Sequence, residues 1–290
     1  MSRFGSIVLA LGLLLGIGWA GRQAAPVPLD AHWAARNESP LRRVLNLPAA
    51  WQLQFKQVRE TPSEDYAAVV FDIVEGDERV PFELYVSRDG QRVFYDRRVY
   101  ELAHPFQSIR EQLHLEGAPT RGPADAPVTI VEFSDYTCGY CRQFFRTHEE
   151  TLFKRYGSKI RLVYKHYPLV GVRSWSEGAA LAAACAFREG NLNFWALHKR
   201  MFQSAGRLPQ GRPVLLALAR QAGLERRTFV ECLDQRDGLA DVARDITEGE
   251  YLGVQGTPTF FINGRPIPGL LSLESFFEVI DEELAVAEAR

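Results

Sequence analysis

The chain has almost no net charge. Lysine and arginine number 34 against 36 aspartates and glutamates, a formal charge of −2 at pH 7. Without a basic surplus, nothing argues for nucleic acid as a partner. Internal repeats and low-complexity tracts are absent. Cysteine is scarce: Cys138, Cys141, Cys185 and Cys232 are all there is. There is one Cys-x-x-Cys and no second. What is there is globular: 46% hydrophobic and 24% charged residues, with room for one large domain or two ordinary ones.

Residues 1–25 stand apart. Arg3 precedes an uncharged apolar run through Gly21. A basic residue before a Leu/Gly/Ala core marks a secretory signal or an N-terminal membrane anchor. Gly18-Trp19-Ala20 is a weak cleavage site, and the run is just long enough to span a bilayer, so both readings stand. Either one places the rest of the chain outside the cytoplasm, where disulfides persist. An even number of cysteines in an exported chain suggests pairing, although spacing does not give the connectivity.

Residues 30–117 read as one α+β unit, preceded by a short tether at Ala24 to Pro28. Trp51 to Val58 alternates as a half-buried strand does, as do parts of Tyr66 to Val74 and Val80 to Val86. Asp89-Gly90 between Leu84-Tyr85-Val86 and Val93-Phe94-Tyr95 signals a hairpin. Helices are expected near 39–47 and 105–114. The Gly- and Pro-rich stretch 118–127 reads as a linker. From Val128 the pattern is strand, helix, strand (Ile160 to Tyr167), then a helical region over about 174–251. Strands return at Thr259 to Ile262 and Pro266-Ile267, joined by Asn263-Gly264, before a last helix over about 272–287.

Cys138 and Cys141 fall where the apolar strand Val128 to Phe133 hands over to a helix-like segment, Arg142 to Arg155. A helix N-terminus favours an anion, and the thiolate is the reactive form of cysteine. The pair alone admits three readings: half a zinc site, a structural disulfide, or a redox couple. Zinc needs two further ligands, and His148 reads as a helix-surface histidine. A disulfide closing so small a loop restricts the unfolded chain little. A second motif decides. Gly256-Thr257-Pro258 stands directly before the apolar strand Thr259 to Ile262, and a proline there must sit at a strand's start or edge.

Together the two motifs resemble the thioredoxin superfamily, in which the peptide before this proline is cis and faces the Cys-x-x-Cys. The resemblance implies an α/β thioredoxin fold. Residues 128–290 are similar to the DsbA-like disulfide oxidoreductases of bacterial envelopes, through the long helical insertion, Tyr164 to Leu169, Ala182 to Ala186 and Phe194 to His198. Gly139-Tyr140 and Thr257 look more like the isomerase DsbC. So does the stretch Leu84 to Gly90 with Val99 to Leu102, and residues 30–117 are therefore a candidate dimerisation domain.

The resemblance implies Cys138 as the exposed attacking thiolate and Cys141, one helical turn on and more buried, as the resolving cysteine. Glu132 takes the place of the family's buried acid, exchanging a proton with Cys141, and Asp135 is a weaker candidate, more in keeping with helix entry. Thr257, Pro258, Gly139 and Tyr140 would meet substrate, the Thr257 backbone pairing with an incoming peptide. One family pattern joins two cysteines such as Cys185 and Cys232 in a structural disulfide. Phe144, Phe145, Phe194, Trp195, Phe202 and Phe229 lie at helical spacings and are expected mainly in the core. Neither metal nor organic cofactor is required. The implied partners are cysteine-containing envelope proteins and a redox partner protein or small thiol, with the chain soluble or anchored in the periplasm or cell envelope. Oxidase, isomerase and reductase share these residues. A holdase chaperone or assembly factor with accessory cysteines is the reading from another class.

Overall fold

The computed structural model describes residues 26–169, 171 and 175–289. The expected export segment, residues 1–25, lies outside the described residues, as does residue 174, where the helical insertion is expected to begin. Among the described residues no helix is long and apolar enough to cross a membrane.

The N-terminal unit is an antiparallel meander with helices. It contains α1 (Ala31–Arg36), α2 (Glu38–Val44), β1 (Gln52–Arg59), β2 (Tyr66–Glu75), β3 (Glu78–Ser87), β4 (Arg92–Tyr95), β5 (Arg98–Glu101) and α3 (Gln107–Gln112). The five strands lie side by side in sequence order. Strand alternation sets its faces. Leu84 and Val86 of β3 turn inward with Val69 and Val93, while their neighbours Tyr85 and Phe94 are exposed with Val99 on the other side. The helix α1 is absent from the sequence reading. Asp30 caps it by accepting from the Trp33 amide (2.9 Å), and buried Trp33 anchors it through a hydrogen bond to the Gly90 carbonyl (3.0 Å).

The second sheet has the order β10-β9-β7-β8-β6, with β6 (Thr120–Arg121) at one edge. Its central strands β7 (Val128–Ser134) and β8 (Ile160–His166) are parallel, joined by α4 (Gly139–Phe144), a π-helical turn (Phe145–Glu149) and α5 (Glu150–Tyr156). Strands β9 (Thr259–Ile262) and β10 (Arg265–Pro268) add antiparallel to β7, and α11 (Leu273–Glu288) closes the chain. Between β8 and β9 stand α6 (Ser176–Arg188), α7 (Asn191–Gln203), α8 (Arg212–Ala222), α9 (Arg226–Gln235) and α10 (Leu239–Tyr251). Cys185 of α6 is bonded to Cys232 of α9. Of the aromatics expected in the core, Phe144, Phe194, Phe202 and Phe229 are fully buried, while Phe145 and Trp195 are partly so.

Both faces of this sheet are covered, which is why β7 reads as a nearly continuous apolar run. Val128, Ile130, Ile160 and Phe260 pack with Phe144 of α4 and Phe276 of α11. Val131, Phe133, Val163 and Phe261 belong to one continuous apolar cluster with Leu41, Val44, Tyr100, Phe106 and Ile109 of the N-terminal unit. The junction is also polar. Arg43 pairs with buried Glu283 (2.8 Å), and Asn46 both donates to the Pro266 carbonyl (2.9 Å) and accepts from Arg265 (2.7 Å).

The stretch 118–127 is a correction to the sequence reading. Within it, β6 (Thr120–Arg121) pairs antiparallel with β8. The reason is Gly122, which has φ +94° and lies so close to β8 that a Cβ there would meet the Ile160 carbonyl oxygen at 2.4 Å. The glycine that looks like a breaker is what lets the chain lie against the sheet.

Candidate active site

The end of β7 delivers the Cys-x-x-Cys motif. Asp135, buried, fixes the exit of the strand. Its carboxylate accepts from the Thr137 amide (2.7 Å) and hydroxyl (2.8 Å), and from the Leu169 amide (3.0 Å) and Ser176 hydroxyl (2.7 Å). Cys138 is then the extended residue that opens α4. One turn on, Cys141 is fully buried. Both thiols are free, and Cys138, expected to be exposed, is only 3% exposed because it is packed against the cis-proline loop. The Thr257–Pro258 peptide is cis, and the Cys138 thiol donates to the Thr257 carbonyl at 3.2 Å. Cys138 thus opens onto a shallow groove of about 370 Å³ bordered by Arg142, Gly206 and Pro209.

Electrostatics divides the pair. The Cys141 thiol first, then the Thr257 side chain and the Cys141 and Tyr140 amides, bring Cys138 down to about 5 against the cost of burial. Burial pushes Cys141 well above the ordinary thiol range. One cysteine is therefore a thiolate at neutral pH and the other a thiol.

Alternation places Glu132 on the β7 face that carries Ile130, under the helix that holds the cysteines. It is 1% exposed, and its Oε1 has no hydrogen-bond partner among the described residues. Burial raises its carboxyl to about 8, with nearby Glu149 and Cys138 adding to the rise. A carboxyl in that range can hold or release a proton at neutral pH.

Tyr140, between Cys138 and Cys141 in the chain, is 65% exposed. His148 differs from expectation. It is buried rather than on the helix surface, because the π-helical turn rotates it inward, where its Nε2 lies 3.1 Å from the Leu271 carbonyl. Among the described residues no group of three or more potential ligands is placed to hold a metal ion.

Sequence reasoning missed the polar cluster behind the cysteines. Tyr136, Tyr164, His198 and Glu149 are all buried, and the Tyr136 hydroxyl lies 3.1 Å from His198 Nδ1. The available signal was a histidine at i+4 from Phe194, on the apolar face of α7.

A Cys-x-x-Cys at a helix start, facing a cis-proline loop on a central mixed sheet, defines a thioredoxin-fold protein. A family model described as Thioredoxin matches residues 114–282, more than half of the chain. The chain belongs to the thioredoxin family, and its fold is DsbA-like. It is 28% identical over 181 residues to disulfide bond formation protein D of Bacillus subtilis, covering 61% of this chain and 82% of that one. It is 35% identical over 171 residues to the Na(+)/H(+) antiporter NhaA 3 of Salinispora tropica, covering 59% of this chain and 25% of the antiporter. The chain thus spans about a quarter of the length of that relative. Oxidised BdbD from Bacillus subtilis has the same fold, with a TM-score of 0.55 and 27% identity over 59% of this chain and 95% of BdbD.

Proposed function

We propose that this protein is exported and exchanges disulfides with cysteine-bearing envelope proteins through Cys138 and Cys141, chiefly donating them. The observation that carries the reading is the split pair: Cys138 held near 5 against the cis-proline loop, Cys141 buried and protonated. A thiolate stabilised in the reduced protein leaves the disulfide the less stable form, which makes the couple oxidising.

In the donating direction a substrate thiolate attacks the Cys138 sulfur, and the Cys138–Cys141 bond breaks. Cys141 leaves with the electron pair and takes a proton from Glu132. The substrate's second thiolate then attacks its own mixed-disulfide sulfur, and Cys138 departs as a thiolate. Two electrons have entered the pair, and a redox partner protein or small thiol-disulfide couple removes them. The Thr257 backbone aligns the substrate peptide, with Pro258 and Gly139 keeping side chains clear of it and Tyr140 offering a ring at the rim. Export is supported by the apolar run before Gly21 and by the Cys185–Cys232 disulfide, a bond that lasts in oxidising compartments. Pairing through residues 30–117 would use the exposed face of Tyr85, Phe94 and Val99.

The test is the reduction potential of the pair in glutathione buffers. A value near −120 mV supports donation, and one near −270 mV makes the protein a reductant or isomerase. A pair that stays in one state throughout rejects redox exchange. Cys138→Ser then separates the chemistry from client holding, which would survive the substitution.

A further inference from the structure

Glu132 is sealed from solvent, yet each cycle requires it to gain and lose a proton. Four buried side chains lead away from it. Glu132 is paired across the sheet with Tyr164 of β8. The Tyr164 ring stacks on Tyr136, with centroids 5.5 Å apart and 27° between planes. The Tyr136 hydroxyl is 3.1 Å from His198 Nδ1, and His198 Nε2 is 3.7 Å from Glu149 Oε2. The other Glu149 oxygen meets Arg121 at 2.7 Å, and Arg121 also binds exposed Glu150 at 2.8 Å. The series therefore begins beside the cysteines and ends at the surface.

Glu132 Oε1, the Tyr164 hydroxyl, His198 Nε2 and Glu149 Oε2 are buried without a hydrogen-bond partner among the described residues. Buried polar atoms are nearly always paired, so four unpaired ones on residues that adjoin one another call for an explanation. A structural network would spend these atoms on fixed bonds. A proton path needs acceptors and donors whose partners change with protonation state. The π-helical turn (Phe145–Glu149) supplies the geometry, since it turns Glu149 inward from a helix whose next residue, Glu150, is exposed.

We propose that Tyr164, Tyr136, His198 and Glu149 form a proton path between Glu132 and solvent, acting through Glu132 as positioning residues for thiol-disulfide exchange. The proposal rests on the acid–base reading of Glu132. When Cys141 closes the Cys138–Cys141 bond and expels a substrate thiolate, its proton passes to Glu132. Glu132 passes it to the phenol pair, His198 takes it from Tyr136, and Glu149 delivers it at Arg121. Opening of the bond runs the same transfers inward. Phenols suit the middle of the path because a hydroxyl both donates and accepts, and burial holds both of them neutral. His166, against Tyr164 on the same strand, is kept neutral by burial, its pKa lowered to about 3. Ser134 of β7, Cys138 and Cys141 are the other polar groups facing Glu132.

The experiment is stopped-flow thiol-disulfide exchange with a cysteine peptide. The full chain is compared with Glu149→Gln, His198→Gln and Glu132→Gln, in H2O and D2O, with increasing imidazole buffer. Glu149→Gln is expected to slow exchange by about tenfold, less than the ~10²–10⁴ that direct acid–base groups contribute. The solvent isotope effect should rise, imidazole should restore the rate, and the pH dependence of Cys138 alkylation should stay unchanged. His198→Gln, which keeps a side-chain amide for Tyr136, should behave alike. Normal rates in both outer variants with a slow Glu132→Gln would overturn the path alone. A normal Glu132→Gln would overturn the acid–base reading beneath it. Slowing that buffer does not rescue and that follows the loss of thermal stability assigns these residues to packing, and also overturns the path.

Discussion

At the residue scale, burial and hydrogen bonding make two identical side chains chemically unlike. Cys138, near 5, is thiolate over most of the accessible pH range, and Cys141 is not. Iodoacetamide should label Cys138 with a rate that rises to a plateau around a midpoint near pH 5, with Cys141 unlabelled in the native state; mass spectrometry of the reduced protein checks both. Glu132 carries the opposite shift. Its carboxyl titrates near 8 when folded and near 4.5 in its ordinary state. The stability its neutral form supports is therefore whole below about 4.5 and is lost as pH rises through about 8. Glu132→Gln should match the parent's melting temperature at pH 4 and exceed it at pH 8. Each kcal/mol is worth about 2–4 °C in domains of 150–250 residues. The same variant should exchange disulfides about 10²-fold more slowly, so calorimetry and kinetics must move in opposite directions.

At the element scale, α10 is bound to the sheet by a buried triad. Lys165 of β8 reaches Asp245 (3.2 Å) and Glu248 (3.0 Å), and Asp245 also accepts from the His166 amide (2.9 Å). Lys165→Met leaves two buried carboxylates without their cation, a loss of about 3–5 kcal/mol that urea unfolding at pH 7 would register. The triad was invisible in the sequence because Lys165 sits in an apolar strand and its partners lie 80 and 83 residues away. The disulfide between α6 and α9 closes a separation of 47 residues. By loop entropy it restricts the unfolded chain by about 4 kcal/mol. Replacing both cysteines with alanine should lower the urea midpoint without altering Cys138 alkylation. The elements themselves were legible where periodicity was strong, as in β7, β8 and the helical insertion. The inward turn of His148 and Glu149 was not, since a π-helical turn shifts the helical phase with no distinctive residue to announce it.

At the scale of the whole molecule, the N-terminal unit is part of the catalytic domain's core. Val131, Phe133, Val163 and Phe261 face it across the sheet, and Gly264 is pressed so close to α3 that a Cβ would meet the Phe106 carbonyl oxygen at 2.6 Å. Removing residues 26–113 would uncover a contiguous apolar face of the kind soluble monomers rarely expose. The truncated chain should therefore aggregate or bind a hydrophobic dye on refolding, whereas the longer chain does not; refolding yield and dye fluorescence report it. A truncated form that refolds cleanly and stays monomeric would show the shared core to be dispensable.

The sequence by itself determined the chemistry and the strands that carry it. Cys138-x-x-Cys141 after an apolar strand, and Thr257-Pro258 before another, are local patterns whose meaning depends on a few adjacent residues. Only the tertiary structure decided how those patterns are used. It set Cys138 against the Thr257 carbonyl across 119 residues of chain, buried Glu132 deeply enough to move its carboxyl to about 8, and laid the N-terminal unit on the back of the catalytic sheet. Burial and proximity are properties of the packed chain, and no local window of sequence contains them.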